Sequence, residues 1–430
     1  MSSFPSAARL FSVSLSLACV GLLSACGGGS SSSNSNIRLL NATSSYSTLA
    51  LTVNDVSVNS AVAYAALGAY SSVSNSATVS QVQTSGVGTT VASLTPTLAK
   101  DSNYTLIAYG WSGAVHTSLL QEAQDAPAAA KAKLLVLNLA PDAGALDVYL
   151  TASGDSLDNA AAVATNVAGG YSSSYNTINS GTYRVQVTGY GKRADLRLDI
   201  PAITLASAGV ATLVITATDG GVLVNGILVA QQGAATNYAS NVSRARVVAS
   251  VADNSLVAAT LNGNTLLGSS VAPTIGEYQN FAAGSSTLAV TVNAVPLTVT
   301  TPTLKAGADY TLLVWGPASA PQVTVLADDN RLPATTGTVK MRMVNGVAGA
   351  QTGLTLSLDY SAIATNVLPG TSSVAATVPS STASLLSVTS PSSSASIYSI
   401  ADLPVVANGI YTVFALGGSS NTTGSLRRER

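Results

Sequence analysis

The chain is predicted to be an all-β protein built from repeated two-sheet sandwiches. Three observations predict it: short β-branched segments that alternate apolar and polar residues, turn signals about every 8 to 12 residues, and a strand signature that recurs roughly every 100 residues. The signature Tyr-Thr-Leu-Ile-Ala-Tyr-Gly at 104–110 returns as Tyr-Thr-Leu-Leu-Val-Trp-Gly at 310–316 and Tyr-Thr-Val-Phe-Ala-Leu-Gly at 411–417, and Ala-Thr-Leu-Val-Ile-Thr at 211–216 fills the gap. A spacing of that size is a domain period, longer than the roughly 20 to 50 residues of solenoid repeats.

Each repeat opens on an apolar segment, Ile37–Asn41, Leu134–Asn138, Arg246–Ala249 and Met341–Asn345, read as a first strand. The second strand alternates, with Leu49, Leu51 and Val53 in the first repeat, Leu146, Val148 and Leu150 in the second, and Leu354, Leu356 and Leu358 in the fourth. A period of two buries one face. Asn54-Asp55 and Asn262-Gly263 follow this strand and tolerate the positive φ of a tight hairpin. A Gly-x-Tyr recurs at Gly68/Tyr70, Gly169/Tyr171 and Gly276/Tyr278, with Thr371 beside Gly370 in the fourth repeat. Ala126–Ala132, preceded by Gln121, Glu122, Gln124 and Asp125, reads as a linker with at most one helical turn, and Asp328–Pro333 as a second linker. The boundaries expected are 1–25 for a signal, 26–36 for a Gly/Ser/Asn tether, and 37–130, 131–242, 243–337 and 338–430 for four sandwiches.

The amino-terminal segment has one Arg, an apolar stretch from Leu10 to Leu23 interrupted by Ser12, Ser14 and Ser16, and a small-residue cleavage site, the form of a secretory signal. It is too short for a span, which needs about 20 apolar residues. Its end, Leu23-Ser24-Ala25-Cys26, resembles the lipobox of bacterial lipoproteins. That resemblance implies cleavage before Cys26, acylation of its thiol and new amino terminus, and stable anchoring by more than one chain. Gly27, where an Asp retains enteric lipoproteins at the inner membrane, implies the outer membrane with its leaflet open. Cys19 falls in the part removed.

Composition narrows the classes further. The mature chain has no cysteine pair for a disulfide or a Cys-based metal cluster. Charged residues are 9% with net charge −1, which leaves no footprint for nucleic acid. The mean hydropathy of +0.38 arises from Ala, Val and Leu scattered among Ser, Thr and Gly, and no stretch after Cys26 reads as a membrane helix. Aromatics at 5% and an Arg-rich end argue against an outer-membrane barrel with aromatic girdles.

The second repeat carries Leu-Asn-Leu-Ala-Pro-Asp-Ala-Gly-Ala-Leu-Asp-Val-Tyr-Leu at 137–150 and Gly-Thr-Tyr-Arg-Val at 181–185. These motifs resemble the bacterial envelope family known as domain of unknown function 4397, over about 132–230 and less closely over 244–340, with the first and fourth repeats degenerate. The resemblance implies tandem, secreted, immunoglobulin-like β-sandwiches and no established activity. Where that family commonly has a His before Ala-Ser-Pro, this chain has Asn138.

No catalytic set is expected. His116, the only histidine, reads as a solvated loop residue just beyond a strand, without a nucleophile elbow. Asp147 and Tyr149 read as solvent-facing and Asp142 as a turn residue after Pro141. Asp328, Asp329 and Asn330 are a weak candidate for interdomain calcium, since hard cations take six to eight oxygens and only three side chains cluster here. No other cofactor is expected. Tyr104, Tyr310, Tyr411, Trp111 and Trp315 suit core packing better than a sugar-stacking platform. Gly27–Gly29 lacks the Lys-Ser/Thr of a phosphate loop, and Arg427, Arg428 and Arg430 read as a solvated tail.

The reading is a lipid-anchored, non-catalytic envelope protein, a tethered string of sandwiches that binds or spaces extracellular polysaccharide, matrix or protein partners, with self-association open through strand edges. The alternatives are a periplasm-facing structural lipoprotein and, third, a hydrolase built on sandwich loops. Its expected partners are the membrane, through the anchor, and a polysaccharide or protein, with no nucleic acid.

Overall fold

The computed structural model describes residues 34–76, 79–349, 352–391, 393 and 395–430. The expected signal, the lipobox Leu23, Ser24, Ala25 and Cys26, and the tether as far as residue 33 lie outside the described residues. The fold is all-β, with one 3-10 turn, Pro141–Ala143, as the only helix among the described residues. None of these residues forms a helix long and apolar enough to cross a membrane. The Ala-rich linker has no helical turn, and Ala132 already lies in the strand Lys131–Leu139.

Four sandwiches follow one another, each with its own core. Each opening strand lies parallel to a later strand of the same sheet: Asn34–Asn41 with Asn103–Trp111, Lys131–Leu139 with Gly209–Ala217, Val242–Val251 with Asp309–Gly316, and Thr338–Asn345 with Ile410–Leu416. The first strand therefore begins at Asn34, opposite Ser74, so the tether ends earlier than the expected residue 36. The opposite sheet is antiparallel. In module one its central strand Thr48–Val53 buries Leu49, Leu51 and Val53, as the alternation requires. Asn54-Asp55 and Asn262-Gly263 do adopt positive φ.

The recurring tyrosines are structural. The Tyr104, Tyr310 and Tyr411 hydroxyls accept the backbone N–H of Ala99, Lys305 and Val406, each five residues upstream, the arrangement of a tyrosine corner. Module two has Ala211 at this position. A second repeated device is a fully buried Asn near the end of the opening strand. Asn138 donates to Gly144 O and Val167 O and accepts from Ala140 N–H, and Asn41 and Asn345 do the same work in their modules. The site where the family commonly has His is thus a loop staple here.

The modules are paired side by side rather than strung end to end. In modules one and three the strand after the parallel partner ends beside the chain's point of entry, because Gln121 pairs with Tyr104 and Asp328 with Asp309. The chain must then start the next module alongside. Module two has one further strand, Ala235–Tyr238, antiparallel to Val224–Ala230, which carries the chain back to the far end before module three begins. There the far-end loop of module two meets the near end of module three through Gly220 N–H to Gly307 O and the Lys305–Asp219 ion pair. The result is two layers of two sandwiches.

Candidate functional site

Chemistry-bearing side chains concentrate where modules meet. In the parallel-partner strand Tyr104, Leu106 and Ala108 face their own core, while Ile107 on the other face joins Leu40, Leu137, Val214 and Ile227 in an apolar cluster shared by modules one and two. Val248, Leu313, Val344 and Phe414 form the equivalent cluster between modules three and four. Burial on both faces explains why these strands read as continuous apolar runs.

Arginines flank both clusters at equivalent positions. Arg38 donates through Nε to Thr105 Oγ1 (2.9 Å), through Nη1 to Gly233 O of module two (2.7 Å) and through Nη2 to Glu122 (2.9 Å). Arg246 contacts Thr311 Oγ1 (3.0 Å) and makes a two-point pair with Glu429 of module four (2.9 and 2.7 Å). Arg342 of module four contacts Thr412 Oγ1 (3.3 Å) and Asp328 of module three (2.5 Å). The two ion pairs of the second junction thus cross, each arginine bound to an acid on its neighbour. Module two has Leu135 where the others have arginine.

Asp328 is fully buried. Burial favours its neutral form, but Arg342, Arg246 and the Thr311 and Tyr278 hydroxyls outweigh it and hold the carboxyl below the usual range. Tyr278 is pushed far up by burial and by Asp328. Its ring lies 4.5 Å from Arg244 and 4.3 Å from Arg246, and the Tyr70 ring lies 4.3 Å from Arg38.

The residues singled out from the sequence fall as follows. Asp328 ends the strand Gln322–Asp328 rather than opening a linker. Asp329 pairs with Arg331 and Lys340 (both 2.7 Å), and Asn330 donates to Asp309 Oδ2 (2.8 Å). Asp328 and Asn330 both contact the Tyr278 hydroxyl, while Asp329 turns to Arg331 and Lys340, and no group of three His, Cys, Asp or Glu converges as a metal site among the described residues. Asp147 is buried, not solvent-facing. Burial would raise its pKa, but the Gly191 N–H, the Thr165 hydroxyl and the Asn166 N–H bind the carboxylate and lower it. Tyr149 is buried too, with Arg193 over its ring. Asp142 is buried at the meeting of three modules, where it accepts Trp111 Nε1 (2.9 Å) and Leu332 N–H (2.7 Å). His116 is exposed, but within the strand Ala114–Gln121 opposite Tyr109, not in a loop. Arg430 is no solvated tail: its guanidinium donates to Gly221 O of module two. In the second repeat the counterpart of the Gly-x-Tyr lies four residues beyond Gly169/Tyr171. Gly68, Ser173 and Gly276 all donate N–H to the same position of the opening strand, so Tyr175 is the counterpart of Tyr70 and Tyr278, and Tyr171 is 69% exposed.

The profile of the family described as domain of unknown function (DUF4397) matches residues 35–149 and 243–353, together more than half of the chain. The chain belongs to this family of uncharacterised domains, in two tandem matches. Both matches cover an odd-numbered module and run into the next; the second repeat is matched only to Tyr149, short of the expected 230, and the first repeat, expected to be degenerate, is matched in full. No curated protein matches the chain. A solved structure, "Putative cell adhesion protein from Parabacteroides distasonis ATCC 8503", is 11% identical over 70% of this chain and 99% of its own, with a TM-score of 0.17.

Proposed function

We propose that the protein is a lipid-anchored, non-catalytic envelope component that displays or spaces a rigid block of sandwiches outside the outer membrane and binds polysaccharide, matrix or protein there. One observation carries the reading: the buried carboxylates at the junctions, Glu122, Asp142, Asp328 and Glu429, are held by guanidinium, hydroxyl, indole or backbone partners, several of which fasten modules to one another, as in the Arg246–Glu429 and Arg342–Asp328 crossing. Acid–base or nucleophilic chemistry needs a group free to reach a substrate. The Leu23-Ser24-Ala25-Cys26 box and membership of a family of tandem domains support the address.

Protease shaving of intact cells carrying a carboxy-terminal epitope, with a lysed control and a Cys26→Ala variant, tests it. Loss of the epitope from intact cells with a periplasmic marker spared, and release of the Cys26→Ala form from the membrane, is the expected result. Protection until lysis would move the protein to the periplasmic face.

A further inference from the structure

A polar cavity of about 250 Å³ opens at the junction of modules three and four, and neither module forms it alone. Arg244, Arg246, Glu277 and Tyr278 come from module three, Arg427 and Glu429 from module four. In a chain with 9% charged residues such a concentration needs a reason.

Arg246 is fully engaged by Glu429 and Thr311. Arg244 uses Nε and Nη2 on Asp309 (2.9 and 2.7 Å), and among the described residues Nη1 has no protein acceptor. Stacking on Tyr278 and the Asp309 pair hold this guanidinium in one orientation. Arg427 is held only by Glu277, through Nη1 at 3.5 Å, with the two side chains 44% and 84% exposed. An ion pair so exposed and so long contributes little, so another oxyanion exchanges with Glu277 at small cost.

We infer that this cavity is a seat for an oxyanion group, carboxylate or sulfate ester, on an acidic polysaccharide. Arg427 is the exchangeable contact, Arg244 Nη1 the fixed one, and Glu277 a placeholder that the ligand displaces. The planar guanidinium fork matches such groups in two-point geometry. This deepens the display reading by naming a ligand class, and it rests on that reading for its extracellular setting. The binding assay below and the shaving assay above fail independently.

The test is binding of the purified full chain to polygalacturonate, dextran sulfate and uncharged dextran. The expected result is binding to at least one polyanion and none to dextran. Arg427→Ala should weaken it roughly tenfold, the size of one charge-assisted contact. Glu277→Gln should tighten it, and Lys100→Ala, at an exposed remote cation, should leave it unchanged. Polygalacturonate alone assigns a carboxylate, dextran sulfate alone a sulfate ester, and both support the seat. Absence of binding to either polyanion, Arg427→Ala binding like the parent, or equal loss in Lys100→Ala would overturn it.

Discussion

The two side-by-side junctions use the same faces of the same strands, yet they are held differently. Modules one and two meet over the larger apolar cluster, with Tyr64, Leu67, Tyr109 and Leu120 packed around it, and are pinned by hydrogen bonds from Arg38 to Gly233 O, between Gln232 and Glu122 and between Gln231 and Gln124. Modules three and four meet over a smaller cluster in which Phe414 is the largest side chain, flanked by two crossing ion pairs. Both junctions fix register with directional contacts, but the first does so mainly with hydrogen bonds to backbone and amide groups and the second with ion pairs that cross from module to module. The second junction places full charges where the first relies on apolar contact and hydrogen bonds, and buried pairs of this kind add little net stability over an apolar replacement.

That contrast can be broken at its strongest point first. Asp328→Ala leaves the Arg342 guanidinium buried without its acid and should destabilise modules three and four by about 3–5 kcal/mol, read as a shifted urea transition, while modules one and two unfold as before. Leu40→Ala opens a cavity in the first junction and should cost about 2–5 kcal/mol there. Replacing Asp328 and Arg342 together by Leu and Met should restore most of what Asp328→Ala loses; a double variant as unstable as the single one would contradict the view that pairing, not attraction, sets the cost. Tyr411→Phe removes the hydroxyl that holds Val406 N–H and should cost about 1 kcal/mol in module four.

Acid sharpens the same contrast. Asp329 is lowered to about 2: burial would raise it, but hydrogen bonds from Arg331 and Lys340 win, and Asp328 is lowered as well. Groups with depressed folded pKa contribute stability that is complete above their unfolded value near 4 and lost as pH falls through the folded one. Asp309 is raised by burial despite Arg244 and opposes the trend. Unfolding followed from pH 5 to 2 should therefore show the second pair of modules, with two lowered carboxylates against Asp147 in the first pair, losing the more stability across that window, and a flat response would show that these carboxylates do not govern the junction.

The alternation of Leu49, Leu51 and Val53 and the Asn-Asp and Asn-Gly turns made the sandwich legible, because one-sided burial and left-handed backbone leave direct marks on residue choice. Pairing of modules was less legible. The unbroken apolar run Leu134–Leu137 signals two-sided burial, but a run alone does not say what covers the outer face. Asp147 misled because alternation assigns a side, and on that side hairpin backbone N–H groups, rather than water, met the carboxylate. The acids at the junctions were harder still, since Arg246 and Glu429 are separated by 183 residues and nothing local links them. The Gly-x-Tyr error has the same root: a short motif matched by letters, where the backbone bond from Ser173 to Val136 sets the true register.

The extra strand Ala235–Tyr238 also sets how far the molecule reaches. Without it, the chain would leave module two where it entered and every later module would crowd around the amino end. With it, the second pair stands on the first, so each layer adds about one strand length, roughly 25–30 Å for eight residues. The block is two layers high instead of four, and a four-residue strand decides that height.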